Sequence, residues 1–323
     1  MNSFITATGS YLPARVVSNE ELAEKIGLTP EQIFKSSGIR QRHWSSPGET
    51  TSALGCAALK NAGVHTQNIG YMIFGTMTSD RFIPGSAPAV QAALNLREVP
   101  CLDIRAACCN TLYGLQVAKG LVTGGLATNV ALCLAEVQST LLRLSPAAAT
   151  ISMLFGDGAA ALVVSSQGEA GALEIVDVHL ATDGKYVDDL GIRAPGSEFR
   201  NNEPQDFEPR MNGQSVILQA SRRMLSACQI VLDRNSLHID DINWIVPHQA
   251  NANLLTQLAR GLRLQDASKV VSVIEHTGNT SSASMGIALD ELRRSRRLVS
   301  GEYLLMPAFA AGFTWGAALC RVV

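Results

Sequence analysis

Short apolar runs alternate along the chain with stretches whose apolar residues recur every three or four positions. The runs YMIFGTM (71–77), NVALCLAEV (129–137) and GAAALVVSS (158–166) are continuous enough to be strands covered on both faces. TSALGCAALKNAG (51–63) and GSAPAVQAALNL (85–96) have helical spacing. After a turn-like SSQGEAGA (165–172) the style repeats, with LEIVDVHLATD (173–183) and INWIVPHQ (242–249) as strands. SVILQASRRMLSACQIVLD (215–233) and ANANLLTQLARGL (250–262) are then helices. The alternation predicts an α/β layered fold with largely parallel, doubly covered strands. No Pro/Ser-rich linker intervenes, so two intimately packed halves, 1–168 and 169–323, are expected rather than independent domains.

In each half a strand runs into an unusual junction and then a helix. In the first, DIRAACCNTLYGLQVAKGLVTGG (103–125), Leu102, Ile104 and Ala106–Ala107 read as the end of a buried strand. Leu112, Leu115, Val117 and Leu121–Val122 carry the helix to Gly124–Gly125. Cys108 and Cys109 sit between them. Unpaired N–H groups and the positive helix end converge there, which favours thiolate and can steady an oxyanion. Successive helical residues point about 100° apart, so only one of the two can face a reacting carbon; the other is core.

The second junction is VPHQAN, with His248 held by Pro247 and followed by Gln249 and Asn251 where apolar residues are expected. A third polar stretch, GNTSSAS (278–284), precedes another helix. It reads either as an N-cap or as a place where the Asn279 amide hydrogen-bonds a developing charge.

Composition narrows the class. The chain of 323 residues is 46% hydrophobic and 17% charged with net charge −2, which fits a compact enzyme and provides no basic field for nucleic acid. No stretch offers about 20 apolar residues for a membrane span, and MNSFITATGSYLPARVV has no leader pattern, so a cytoplasmic protein is expected. Its seven cysteines are then reduced thiols. They form no CxxC and do not cluster with the six histidines, so no metal site is expected.

AAC, VPHQAN, GNTSSAS and AFAAGFTWGAAL (308–319), together with GSYLPARVVSNEEL, SSGIRQRHW and LFGDGAAALVV, occur in the order and spacing of β-ketoacyl-acyl-carrier-protein synthase III of the thiolase superfamily. The chain resembles that family over essentially its whole length. The resemblance implies a five-layered α-β-α-β-α fold with internal duplication, a homodimer, and partnership with acyl carrier protein. It assigns Cys108 as the acyl-accepting nucleophile and Cys109 as a substitute for a small residue. His248 and Asn279 become the groups that bind a malonyl thioester as it decarboxylates. The N–H groups of Cys108 and Ala311 form the oxyanion hole, and Ile83, Thr111, Phe155, Asn251 and Phe309 bind substrate. No cofactor is implied beyond the pantetheine carried by the acyl and malonyl thioesters.

Several positions depart from the family pattern. Cys109-Asn110-Thr111 replaces Ser-Gly-Phe or Ala-Gly-Phe, and Ala310-Ala311-Gly312 replaces a glycine run. Ala311 can donate its N–H if its φ is negative. The adenine-stacking Trp and its Arg partners correspond to Gln32, Ser36 and about Ala149, which weakens a nucleotide grip and favours a carrier-protein acyl donor. Asn253 replaces a basic carrier-docking residue. Ile83, expected to reach across a dimer interface, takes a position where the family has a Phe or a smaller residue, and Thr111 replaces another Phe, so acyl groups larger than acetyl are expected.

The resulting expectation is a decarboxylating Claisen condensation, in fatty acid initiation or a specialised pathway. A non-decarboxylating acyltransferase acting on an amine or alcohol is the alternative. A catalytically silent subunit fits poorly with Cys108, His248 and Asn279 all present.

Overall fold

The computed structural model describes residues 2–198, 203–295 and 298–323. Its main sheet has nine strands: β1 (Phe4–Tyr11), β2 (Tyr71–Gly75), β3 (Cys101–Ile104), β4 (Asn129–Glu136), β5 (Gly158–Ser165), β6 (Leu173–Thr182), β7 (Ile242–Ile245), β8 (Tyr303–Ala310) and β9 (Thr314–Val322). Their spatial order is β7-β8-β9-β6-β1-β5-β4-β2-β3. Two residue pairs, Phe4 with Glu174 and Ile5 with Leu173, join what are otherwise two sheets.

Each side of that seam repeats one pattern. From β1 outward the pairings are antiparallel to β5, antiparallel to β4, then parallel to β2 and to β3. From β6 outward they are antiparallel to β9, antiparallel to β8, parallel to β7, and then a single parallel bridge from Ile245 to Val270. This is an internal duplication written in strand order.

The expectation of largely parallel strands is therefore corrected: five of the eight neighbouring pairs run antiparallel. Apolar runs such as β5, buried at every residue, report coverage on both faces and carry no information about direction. A second correction concerns Ala106–Ala107, which are not strand. β3 ends at Ile104, and all four of its residues are half-buried because it forms the sheet's edge.

Helices complete five layers. Among them are α1 (Pro30–Ser37), α2 (Thr51–Asn61), α3 (Asn110–Thr123), α4 (Gly213–Arg234), α5 (Ala252–Gly261) and α6 (Ser284–Ser295). The central apolar cluster contains Leu112, Leu115 and Val122 of α3, Ile287 and Leu289 of α6, and inward residues of both sheets such as Leu132, Leu162, Ile175 and Met306. α2 covers the outer face of the first sheet through Leu54, Ala58 and Leu59. α4 covers the second through Met224, Cys228 and Val231. Both central helices start at junction loops, so the two N-terminal ends meet in the middle of the molecule.

Candidate active site

The first junction is shaped by a backbone reversal. Ala107 takes φ +48°, and the chain enters a short turn (Ala107–Cys109) before α3 starts at Asn110. The Asn110 side-chain oxygen accepts from the Ala106 N–H at 2.6 Å, and the Cys109 N–H donates to the Ala106 carbonyl at 3.0 Å. This turn sends the two thiols to different walls. Cys108 Sγ lies 3.4 Å from Ser281 Oγ, whereas Cys109 Sγ lies 3.5 Å from the Thr314 carbonyl inside the core.

Position at a helix start does not by itself make Cys108 a thiolate. Burial pushes its pKa up to about 11; the Ser281 hydroxyl pulls it down and the Glu136 carboxylate pushes it further up. Burial raises Cys109 well above the ordinary thiol value.

His248 follows β7 by three residues, and its N–H donates to the Pro307 carbonyl of β8 at 3.0 Å. Nδ1 lies 2.7 Å from Ser284 Oγ, which also accepts the Gln249 N–H at 3.2 Å. Gln249 anchors the loop: its amide donates to the Pro247 and Val271 carbonyls and its oxygen accepts from the Val273 N–H. Burial lowers the His248 pKa to about 4, so the imidazole is neutral.

Asn279 is not the cap of α6, which starts five residues later. Its backbone bridges to Phe155, donating to the Leu154 carbonyl at 2.8 Å and accepting from the Gly156 N–H at 3.0 Å. A Cβ on Gly156 would come within 2.4 Å of the Thr277 carbonyl, so this approach requires glycine. The side-chain oxygen accepts from the Ser281 N–H at 2.8 Å, and the amide donates to the Ala250 carbonyl at 3.4 Å.

Two side chains from distant parts of the sequence thus meet one segment, 279–284, which Asn279 begins: Ser281 touches Cys108, and Ser284 holds His248. The remaining candidates are placed less uniformly. Thr111 is fully buried and its hydroxyl donates to the Ser282 carbonyl at 3.0 Å, tying α3 to the same segment. Phe155 adjoins Asn279 through the bridge above. Ala311, in the turn between β8 and β9, is absent from the residues with positive φ, in contrast to Gly312 at +131°. Phe309 is buried, its ring centroid 4.7 Å from that of Phe313. Asn251 is occupied: its oxygen caps α5 by accepting from the Asn253 N–H, and its amide donates to the Ser36 carbonyl at 2.9 Å. Ile83 stands apart, 79% exposed beside Phe82 at 74%.

Sequence reasoning named the polar stretch 278–284 but not the partners within it. Nothing local marks Ser281 as the contact of Cys108 or Ser284 as that of His248.

Comparison with known proteins places this arrangement. The sequence profile described as 3-oxoacyl-[acyl-carrier-protein (ACP)] synthase III matches residues 102–184, and its C-terminal counterpart matches 232–322. A β-ketoacyl-[acyl-carrier-protein] synthase III from Chlamydia caviae is 39% identical over 99% of this chain and 96% of its own. One from Rhizorhabdus wittichii is 37% identical over 98% of each. The crystal structure of 3-oxoacyl-[acyl-carrier-protein] synthase III from Aquifex aeolicus superposes with TM-score 0.90 at 30% identity, covering 99% of this chain and 100% of that one. The priming β-ketosynthase of the R1128 polyketide pathway superposes with TM-score 0.89 at 31% identity, covering 99% and 96%. With full-length relatives and the duplicated fold in agreement, the chain belongs to the 3-oxoacyl-[acyl-carrier-protein] synthase III family and is a thiolase-fold condensing enzyme.

Proposed function

We propose that Cys108 accepts an acyl group from a thioester and that His248 and Asn279 bind a malonyl thioester while it loses carbon dioxide. In the first step the Cys108 sulfur attacks the acyl carbonyl, the carrier thiol leaves with a proton, and an acyl-cysteine remains. In the second, cleavage of the malonyl carboxylate leaves an enolate whose carbon attacks the acyl-cysteine. The Cys108 thiolate departs, and the product is a β-ketoacyl thioester. The observation that carries this reading is that Cys108 and His248 both contact segment 279–284, which Asn279 begins.

In the proposed tautomer the Ser284 hydroxyl, while accepting the Gln249 N–H, donates its proton to Nδ1, and the ring proton sits on Nε2. A neutral Nε2–H and the Asn279 amide can then donate to the thioester oxygen where charge develops. The N–H groups of Ala311 and Cys108 serve the tetrahedral oxyanion, and the negative φ of Ala311 supports that role. Phe155, Thr111 and Phe309 form the surrounding wall. The reaction requires no metal or redox cofactor, only the pantetheine of its substrates.

A carrier-protein donor is favoured over the nucleotide grip of coenzyme A. Gln32, where the family stacks adenine, has its oxygen accepting from the Thr29 N–H in the capping box of α1. Asn253 donates to the Lys35 and Ser36 carbonyls. The protein is proposed to work as a homodimer of chains divided near residues 168 and 169. The edge strand β3 and the exposed Phe82–Ile83 pair support a self-association surface, with Ile83 facing the partner's acyl site.

Intact-protein mass spectrometry after incubation with acyl carrier protein and coenzyme A thioesters tests the first step. Release of labelled carbon dioxide from malonyl-carrier substrate tests the second. The expected result is an acyl adduct on Cys108, faster from the carrier protein, and carbon dioxide released in step with β-ketoacyl product. Acylation of Cys108 with transfer to an amine or alcohol and no carbon dioxide overturns the condensation reading.

A further inference from the structure

Asn279 is placed by its main chain. Its side-chain oxygen accepts from the Ser281 N–H at 2.8 Å, and its amide meets a protein acceptor at no less than 3.4 Å, so the direction of that amide follows the backbone beneath it. That backbone is held by residues 153–157, whose main-chain groups are divided between two neighbours. On one side the Leu154 carbonyl accepts the Asn279 N–H at 2.8 Å, and the Gly156 N–H donates to the Asn279 carbonyl at 3.0 Å. On the other lies the strand Gln41–Trp44, paired in a two-stranded ribbon with Arg15–Ser18. From it Arg42 Nη2 donates to the Met153 carbonyl at 2.9 Å and the Trp44 indole N–H to the Phe155 carbonyl at 3.2 Å. The Asp157 N–H donates back to the His43 carbonyl at 2.7 Å.

Arg42 stands at the centre of this arrangement. It is fully buried, and the groups it bonds are neutral: Nη1 donates to the Asn19 side-chain oxygen at 2.8 Å and to the Val17 carbonyl at 3.3 Å, and Nη2 to Met153. Desolvating a cation onto neutral acceptors costs free energy that an apolar side chain would not incur. What the guanidinium supplies is a rigid fork whose two ends reach different elements at once. Its stem also lies against the residue before Asn279. A Cβ on Gly278 would come within 2.9 Å of the Arg42 Cβ, and one on Gly156 within 3.1 Å. Gly278 takes φ +67°, a backbone that favours glycine, so the chain turns into Asn279 directly over Arg42.

We propose that Arg42 is a positioning residue that acts through Asn279: by tying the ribbon to Met153 and packing under Gly156 and Gly278, it aims the Asn279 amide at the malonyl thioester oxygen. This rests on the malonyl-binding role proposed above for Asn279. It bears on decarboxylation and not on acyl loading, because Cys108 is set from the other repeat by the turn that Asn110 closes on Ala106.

The test compares wild type with Arg42→Met, which keeps an unbranched apolar stem and removes the fork, and with Arg42→Lys, which keeps the charge. Trp44→Phe removes the indole N–H that holds Phe155 and keeps an aromatic ring; it decides the matter if Arg42→Met does not fold. Hydrogen exchange by mass spectrometry reads peptides spanning 154–157 and 278–281 with no substrate present. Single-turnover carbon dioxide release on the acyl-enzyme is measured beside acyl loading of Cys108. Exchange in those two peptides is expected to quicken by about tenfold in Arg42→Met, with the peptide spanning 110–123 unchanged. Carbon dioxide release should slow by roughly 10- to 100-fold in Arg42→Met and by roughly threefold to tenfold in Trp44→Phe, with Arg42→Lys between wild type and Arg42→Met. Loading should stay within about threefold in all of them. Unchanged exchange, unchanged carbon dioxide release, or loading and release that fall together overturns the proposal. A wild type that loads Cys108 and releases no carbon dioxide overturns the proposed condensation instead, while the exchange comparison still reads the hold of Arg42 on Asn279.

Discussion

The sulfur of Cys108 and the hydroxyl oxygen of Ser281 lie 3.4 Å apart, though 173 positions separate the two residues in the chain. The contact is made by the two junction turns at the N-terminal ends of α3 and α6, the helices of the central layer. Each turn passes through a non-glycine residue at φ +48°, Ala107 in one and Ser281 in the other. The duplicated fold therefore places a nucleophile from one repeat against a polar cradle from the other.

That contact sets the first prediction. The Ser281 hydroxyl holds the Cys108 pKa down against burial, so Ser281→Ala raises it further and leaves less thiolate at neutral pH. Self-acylation at pH 7.5 should slow by about tenfold, the effect of losing one hydrogen bond to a charged group. Stopped-flow release of the carrier thiol gives the rate; an unchanged rate would show the contact to be idle.

Ser284 separates the two half-reactions. Its hydroxyl bonds His248 Nδ1 and takes the Gln249 N–H, whereas Cys108 pairs with the Ser281 hydroxyl. Ser284→Ala should lower the rate of malonyl decarboxylation on the acyl-enzyme by roughly 10- to 100-fold, as expected for a misaligned transition-state donor. Acyl loading of Cys108 should stay within about twofold of wild type, as for a residue acting in the other step. Single-turnover measurement of each step distinguishes this from general damage, in which both rates fall together.

The parts of this arrangement legible in sequence are those with a local pattern. Helix 110–123 follows from the spacing of Leu112, Leu115 and Leu121, and the apolar runs mark β4 and β5. Strand direction is not local: a run covered on both faces looks the same whether its neighbour is parallel or antiparallel. The early end of β3 was hidden because alanine gives no sign that Ala107 adopts a left-handed backbone. In the site, Cys108, His248 and Asn279 were legible through junction motifs. The contacts of Ser281 and Ser284 depend on pairings 173 and 36 residues apart, which no window along the chain contains.

Cys109 is expected to be chemically silent. It is fully buried, its sulfur faces the Thr314 carbonyl, and burial holds it firmly as a thiol. Cys109→Ala should leave the acyl adduct on Cys108 at wild-type yield and cost about 1 to 2 kcal/mol of stability from the small cavity left in the core. Cys108→Ala should abolish the adduct. An adduct that moves to Cys109 in the second variant, or disappears in the first, contradicts this division of roles.

His248 should make the protein sensitive to acid in a defined window. Its folded pKa is about 4, lowered by burial from an ordinary value of 6.5. Above pH 6.5 the imidazole is neutral whether the chain is folded or not, and its contribution is complete. Below 6.5 the unfolded chain takes up a proton that the folded protein excludes, so stability falls with falling pH and stops falling near pH 4. The full loss from this one group is about 3 kcal/mol. Other groups titrate in the same range, so the measurement is the difference between wild type and His248→Asn, whose amide cannot take up a proton there. Urea unfolding from pH 7.5 to 4 should show the two proteins running parallel above pH 6.5 and the wild type alone losing the extra stability below it. A difference that stays constant down to pH 4.5, or that grows in favour of the wild type as acid is added, is incompatible with a buried neutral imidazole at this position.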